Sequence, residues 1–191
     1  PYYREFDIGP TTITRGASRR PFDDAVADVV EPFRPPVVSF HFGLPSAQLL
    51  ARVKSWGAFV LSTATTVNEA RWLEAHGADA IIAQGLEAGG HRGHFLSRDV
   101  TLVTGTFALL PCIVDAVHVP VIAAGGIVDR RGVAAAFALG ASAVQLGTAY
   151  LLCPEATTSR VHRAALMDEG SSHTALTTTR RCPAATRAAP I

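Results

Sequence analysis

Most of the chemistry this chain could perform lies in one stretch, AIIAQGLEAGGHRGHF, residues 80–95. An apolar run stops at Gln84, and a glycine-rich loop follows, carrying Glu87, His91 and His94. An imidazole exchanges a proton near neutral pH, which makes His91 the candidate catalytic residue. Glu87 is placed to orient or tune it. The plain alternative is a solvent-facing loop histidine. A metal held by Glu87, His91 and His94 is a rival account, but their spacing matches no common zinc pattern.

Two further stretches point to phosphate. In IAAGGIVDRRG (122–132) an apolar run ends in Gly125-Gly126 just before a helical pattern. Paired glycines let backbone amides approach an anion, and a helix N-terminus adds partial positive charge. In AVQLGTAYL (143–151) a second run ends in Gly147-Thr148. Either stretch alone also reads as a tight β–α turn. Adjacent cradles on the last two strands match the usual phosphate position in parallel barrels. The chain carries no GxSxG nucleophile elbow and no phosphate-binding GxxxxGK[ST] loop.

The elements that must position these residues follow a repeating pattern. PFDDAVADVVEPF (21–33) has helical spacing and stops at Pro35-Pro36. VVSFHFG (37–43), AFVLSTA (58–64), ADAIIAQG (78–85), VPVIAAGG (119–126) and ASAVQLGTAYL (141–151) read as strands. Between them lie helical segments at 46–57, opened by Ser46 and stopped by Gly57, and at 66–77, with a threonine start and a glycine stop. Two more run over 104–118, with Pro111 a candidate break and Cys112 expected in the core, and over 129–140. Alternating strand and helix predicts a parallel sheet covered by helices. Polar or glycine residues follow all five strands, which favours a (β/α)8 barrel over a doubly wound sheet with one switch point. Only about five of the eight βα units of such a barrel are present, so the sheet is expected to have open edges. SSHTALTTTRRCPAATRAAPI (171–191) has no periodicity and reads as an irregular tail.

Bulk properties narrow the classes. A net charge of +1 gives no reason to expect nucleic acid as a partner. No apolar stretch reaches the roughly 18 residues of a membrane span, and the N-terminus lacks a signal pattern. Cys112, Cys153 and Cys182 lie far apart and are odd in number, which suits free thiols in a reducing cytoplasm.

Taken together, VVSFHFGLP, AQGLEAGGHRG, VPVIAAGGIVDRRGVAAAFALGA and AVQLGTAYLLCPEA resemble the nitronate monooxygenase family, formerly called 2-nitropropane dioxygenase, over roughly residues 36–170. The resemblance implies a TIM-type barrel, here residues 1–170, that binds FMN non-covalently and oxidises alkyl nitronates such as propionate 3-nitronate with molecular oxygen. It implies that Gln84, Gly89 and Gly90 lie at the flavin. Gly125, Gly126, Gln145, Leu146, Gly147 and Thr148 would hold its phosphate end. It places His91 near the substrate as base or electrostatic partner of the anion. The family's N-terminal βα units are not recognisable here, and RRCPAATRAAPI departs from the family's usual ending as a shifted frame or a divergent end would. Alternatives are a flavin-dependent enoyl-acyl carrier protein reductase, or a non-catalytic phosphate-binding remnant that self-associates through its open sheet edge.

Overall fold

The computed structural model describes residues 21–97, 99, 101–174, 176–177 and 186–187. Residues 1–20, the remainder of the tail and Cys182 lie outside the described residues. Helix α1 (Asp24–Val30) opens on Asp23, whose Oδ1 accepts the Val26 N–H at 3.0 Å, and runs into a 3-10 turn, Glu31–Phe33. Then come β1 (Val37–Phe40), α2 (Ala47–Ser55), β2 (Phe59–Ala64), α3 (Val67–Ala75) and β3 (Ala80–Gln84). A two-residue strand β4 (Gly90–His91) lies in the loop before α4 (Thr106–Val114). The chain continues through β5 (Val121–Ala124), α5 (Arg130–Ala138), β6 (Ala143–Gln145) and α6 (Arg160–Met167).

The five strands anticipated from sequence form one parallel sheet in the order β1-β2-β3-β5-β6. That order never reverses. Because β-α-β crossovers are right-handed, an unreversed order puts every crossover helix on the same face. The strand residues on that face, among them Ala64, Ile81, Ala83, Val121 and Ala123, pack against Leu73 of α3, Leu109, Leu110 and Ile113 of α4 and Ala136 of α5. On the opposite face the register aligns Val37 with Phe59 and Ile82 with Ile122. Its central members, Ala80 and Ile82, are buried, while Val37 and Phe59 at the β1 side are exposed. A sheet with helices outside and an apolar inner face is an arc of a (β/α)8 barrel, here five βα units of it.

Capping follows the sequence signals. Ser46 and Thr66 accept the Leu49 and Glu69 N–H groups, and Gly57, Gly77 and Gly140 adopt left-handed φ just past the ends of α2, α3 and α5. Two expectations for α4 fail. Pro111 does not break the helix, which runs on to Val114 and still bonds the Asp115 N–H to the Pro111 carbonyl. Cys112 is exposed rather than in the core, because Leu109, Leu110 and Ile113 take the buried side and Cys112 is rotated away from it. Helix α6, which the periodicity did not mark, has no buried residue. Within the stretch read as an irregular tail, β7 (Leu176–Thr177) and β8 (Thr186–Arg187) form a small antiparallel sheet with β4, aligning His91 with Thr186. Among the described residues no helix is long and apolar enough to cross a membrane.

Candidate functional site

The carboxyl ends of the parallel strands carry the stretches singled out in the sequence. Gln84, the last residue of β3, spends its side chain on the loop that follows. Its Nε2 donates to the His91 carbonyl at 2.9 Å, and its Oε1 accepts the Gly93 N–H at 2.7 Å. Arg92, 3% exposed, donates from Nη1 to the carbonyls of Gly85 (2.8 Å) and Gln84 (3.3 Å), and from Nη2 to Leu86 (3.0 Å). Glu69, also buried, ties the far side. Its Oε2 accepts the Thr65 N–H and hydroxyl, and its Oε1 accepts the N–H groups of Phe95 and Leu96. Gly85 and Gly93 of this loop permit close packing. A methyl group on Gly85 would overlap Thr106, and one on Gly93 would stand 2.6 Å from the His41 ring.

His91 lies between this frame and the end of β1. Among the described residues neither of its ring nitrogens has a hydrogen-bond partner. Its carbonyl is held by Gln84 and, at 3.3 Å, by His41 Nε2. A carbonyl can only accept, so His41 carries its proton on Nε2, and Nδ1 accepts the Thr63 hydroxyl at 3.0 Å. Desolvation lowers the His41 pKa, the His91 carbonyl opposes that shift, and the nearby His91 charge adds to it. A folded ring that is harder to protonate than the unfolded one makes protons favour the unfolded chain. The stability contributed by neutral His41 is therefore whole above about pH 6.5, the ordinary histidine value, and drains away as pH falls below it. Thermal melts between pH 7.5 and 5 are expected to show a smaller acid-side decline for His41→Gln than for the parent.

Three sequence readings change at this point. The Glu87 carboxylate caps α4, with Oε2 accepting the Thr106 N–H and hydroxyl, each at 2.8 Å. Gly105 at the N-cap has no side chain to do so. His94 faces a separate cavity of about 400 Å³ at the start of α3, shared with Asn68, Glu69 and Arg92. Among the described residues no three His, Cys, Asp or Glu side chains gather for a metal. The N-terminus of α5 is not open to an anion either, because Asp129 Oδ1 accepts the N–H groups of Arg131 (2.9 Å) and Gly132 (3.2 Å).

The glycine turns themselves do converge. Gly125 and Gly126 both have left-handed φ, 122° and 66°. A side chain on Gly125 would meet Thr106 Oγ1 at 2.7 Å and the Ala88 nitrogen at 2.9 Å, and one on Gly126 would meet Glu87 Cβ at 3.0 Å. Gly89 approaches Thr148, whose Oγ1 would lie 2.8 Å from an added Cβ. The loop after β3 thus touches both the loop after β5 and the loop after β6. Leu146 turns its side chain to the core, so only its backbone can serve a ligand. Gly90, with φ 77°, and Gly147 border open space. Among the described residues the N–H groups of Gly126, Ile127, Gly147 and Thr148 have no hydrogen-bond partner. Unpaired amides in glycine turns are donors of the kind that hold an anion, and as such they fit the phosphate end of a cofactor.

Residues 8–189 match the family model for nitronate monooxygenase. The chain belongs to the nitronate monooxygenase family. It is 48% identical over 155 residues to the nitronate monooxygenase of Paraburkholderia phytofirmans, covering 81% of this chain and 42% of that protein. Among solved structures, the nitroalkane oxidase of Streptomyces ansochromogenes superposes with a TM-score of 0.81 at 44% identity, over 87% of this chain and 48% of that one. FabK from Thermotoga maritima superposes at 0.72 and 35%, over 88% and 50%. The chain thus spans less than half the length of the curated relative and about half of each solved chain.

The residues that frame the candidate site and that sequence reasoning did not assign are His41, Thr63, Glu69, Arg92 and Thr106. His41 lies fifty positions from His91, and its placement after a strand was its one visible signal.

Proposed function

We propose that the protein carrying this chain oxidises alkyl nitronates with molecular oxygen, using FMN bound at the carboxyl ends of β3, β5 and β6. The observation that carries this reading is the convergence of three glycine loops, with unpaired amides, beside an imidazole whose ring nitrogens are uncommitted, in a chain of the nitronate monooxygenase family. The flavin, when bound, supplies the electron acceptor for the nitronate and the donor to oxygen. The amides of Gly126, Ile127, Gly147 and Thr148 hold the phosphate end, with Gly125 shaping the turn and Gln145 at the rim. Gly89 and Gly90 let the β3 loop pass close to the ring system, and Gln84 keeps that loop folded. His91 meets the nitronate, as an electrostatic partner when protonated or as a base when neutral. Its main chain is fixed through its carbonyl, and the Phe42 ring stands edge-on to its imidazole.

The test is to express the complete reading frame that contains this sequence, record its visible spectrum and measure oxygen consumption with propionate 3-nitronate. A yellow protein that consumes oxygen is expected. A colourless protein that stays colourless with added FMN would sink the reading. NAD(P)H oxidation coupled to an enoyl thioester, without nitronate activity, would select the reductase alternative.

A further inference from the structure

Phe42 follows β1 at the same end of the sheet as His91, and its backbone is in the left-handed region, φ 69°. Gly43 follows with φ 90°, so two successive residues turn the wrong way for a side chain. Gly43 suits that conformation, and a Cβ there would also press to 3.2 Å on the Phe95 ring. Phe42 does not suit it, and strain kept on a non-glycine residue at a ligand-binding end of a sheet points to function. Phe42 is 43% exposed. Its ring stands edge-to-face between two imidazoles, with centroids 4.4 Å from His41 and 6.0 Å from His91. The polar neighbours Gln84 and His41 spend their side chains on the protein itself. Phe42 therefore offers an outward apolar surface directly beside an uncommitted imidazole.

Resting on the functional reading above, we propose that Phe42 is a specificity-determining residue: its ring is the wall against which the alkyl group of a nitronate lies while the charged head meets His91. A nitronate has just these two parts, an anionic head and an apolar tail. Each methylene laid against the ring gains hydrophobic contact, so preference for longer chains should reside here.

The experiment measures kcat/KM for linear alkyl nitronates from ethyl to hexyl, together with flavin content and Tm, for the full-length protein and its Phe42→Ala and Phe42→Gly variants. In the parent, kcat/KM should rise by about threefold per methylene. In both variants the rise should flatten, through KM more than kcat, with flavin content unchanged. Phe42→Gly should also keep or raise Tm, because glycine relieves the left-handed strain. A loss that is equal for all chain lengths, or a loss of flavin with the chain-length profile intact, overturns the assignment. A flavin-loaded parent that oxidises no nitronate overturns the functional reading and this inference together, an outcome distinct from an unchanged profile in active variants.

Discussion

Replacing His91 with asparagine should lower nitronate turnover by about 10²- to 10⁴-fold, the range typical of losing a positioned proton-transfer group, with flavin content close to that of the parent. The loop geometry explains why the two readouts separate. What fixes residue 91 is its carbonyl, bonded by Gln84 Nε2 and His41 Nε2, and the Arg92 guanidinium that gathers the carbonyls of residues 84–86. None of these contacts uses the imidazole, so a smaller amide leaves the frame standing. What disappears is a group that can change its charge at the point where the anion arrives. Oxygen-electrode rates and the flavin-to-protein absorbance ratio decide the matter. A variant that loses flavin and turnover in parallel would make His91 a cofactor-holding residue instead, and a fully active one would remove it from the chemistry.

The elements were legible in the sequence where the signal was local. Ser46 and Thr66 begin α2 and α3, Gly57, Gly77 and Gly140 follow helix ends, and five β-branched or apolar runs became five parallel strands. Helix α4 was harder because TFALLPCIV is apolar nearly all round. Its buried side could be told only from what it packs against, and so Cys112 was misplaced. The candidate site divides the same way. The glycines and His91 announce themselves by type and position after strands. Glu69 to Phe95 and His41 to His91 are contacts across 26 and 50 residues, invisible without the fold. Asp129 is the exception, since an acidic residue just ahead of a helical segment is a local capping signal. Read that way, it marks the α5 N-terminus as capped by its own side chain, which leaves the glycine turns as the proposed phosphate site.

Those turns make a sharper test at Gly147 than at Gly126. A side chain at Gly126 must adopt φ 66° and press against Glu87, the residue that caps α4. A variant there loses fold and cofactor together, and the two causes cannot be told apart. Gly147 has φ −118°, outside the left-handed region, and a Cβ there meets nothing within 4 Å. Gly147→Leu is therefore expected to keep Tm within about 3 °C of the parent, as a surface substitution does. The leucine side chain would stand in the open space beside the unpaired N–H groups of Gly147 and Thr148. Forfeiting two charge-assisted hydrogen bonds, each about 1.5 kcal/mol or more, corresponds to an increase of about 100-fold in the FMN dissociation constant. Gly147→Ala, with a side chain too short to fill the space, should fall between the two. Flavin-fluorescence titration and thermal melts on the same preparations read both quantities. Unchanged FMN affinity in Gly147→Leu would take the β6 turn out of the phosphate site, and a Tm that falls in step with affinity would make Gly147 a structural glycine.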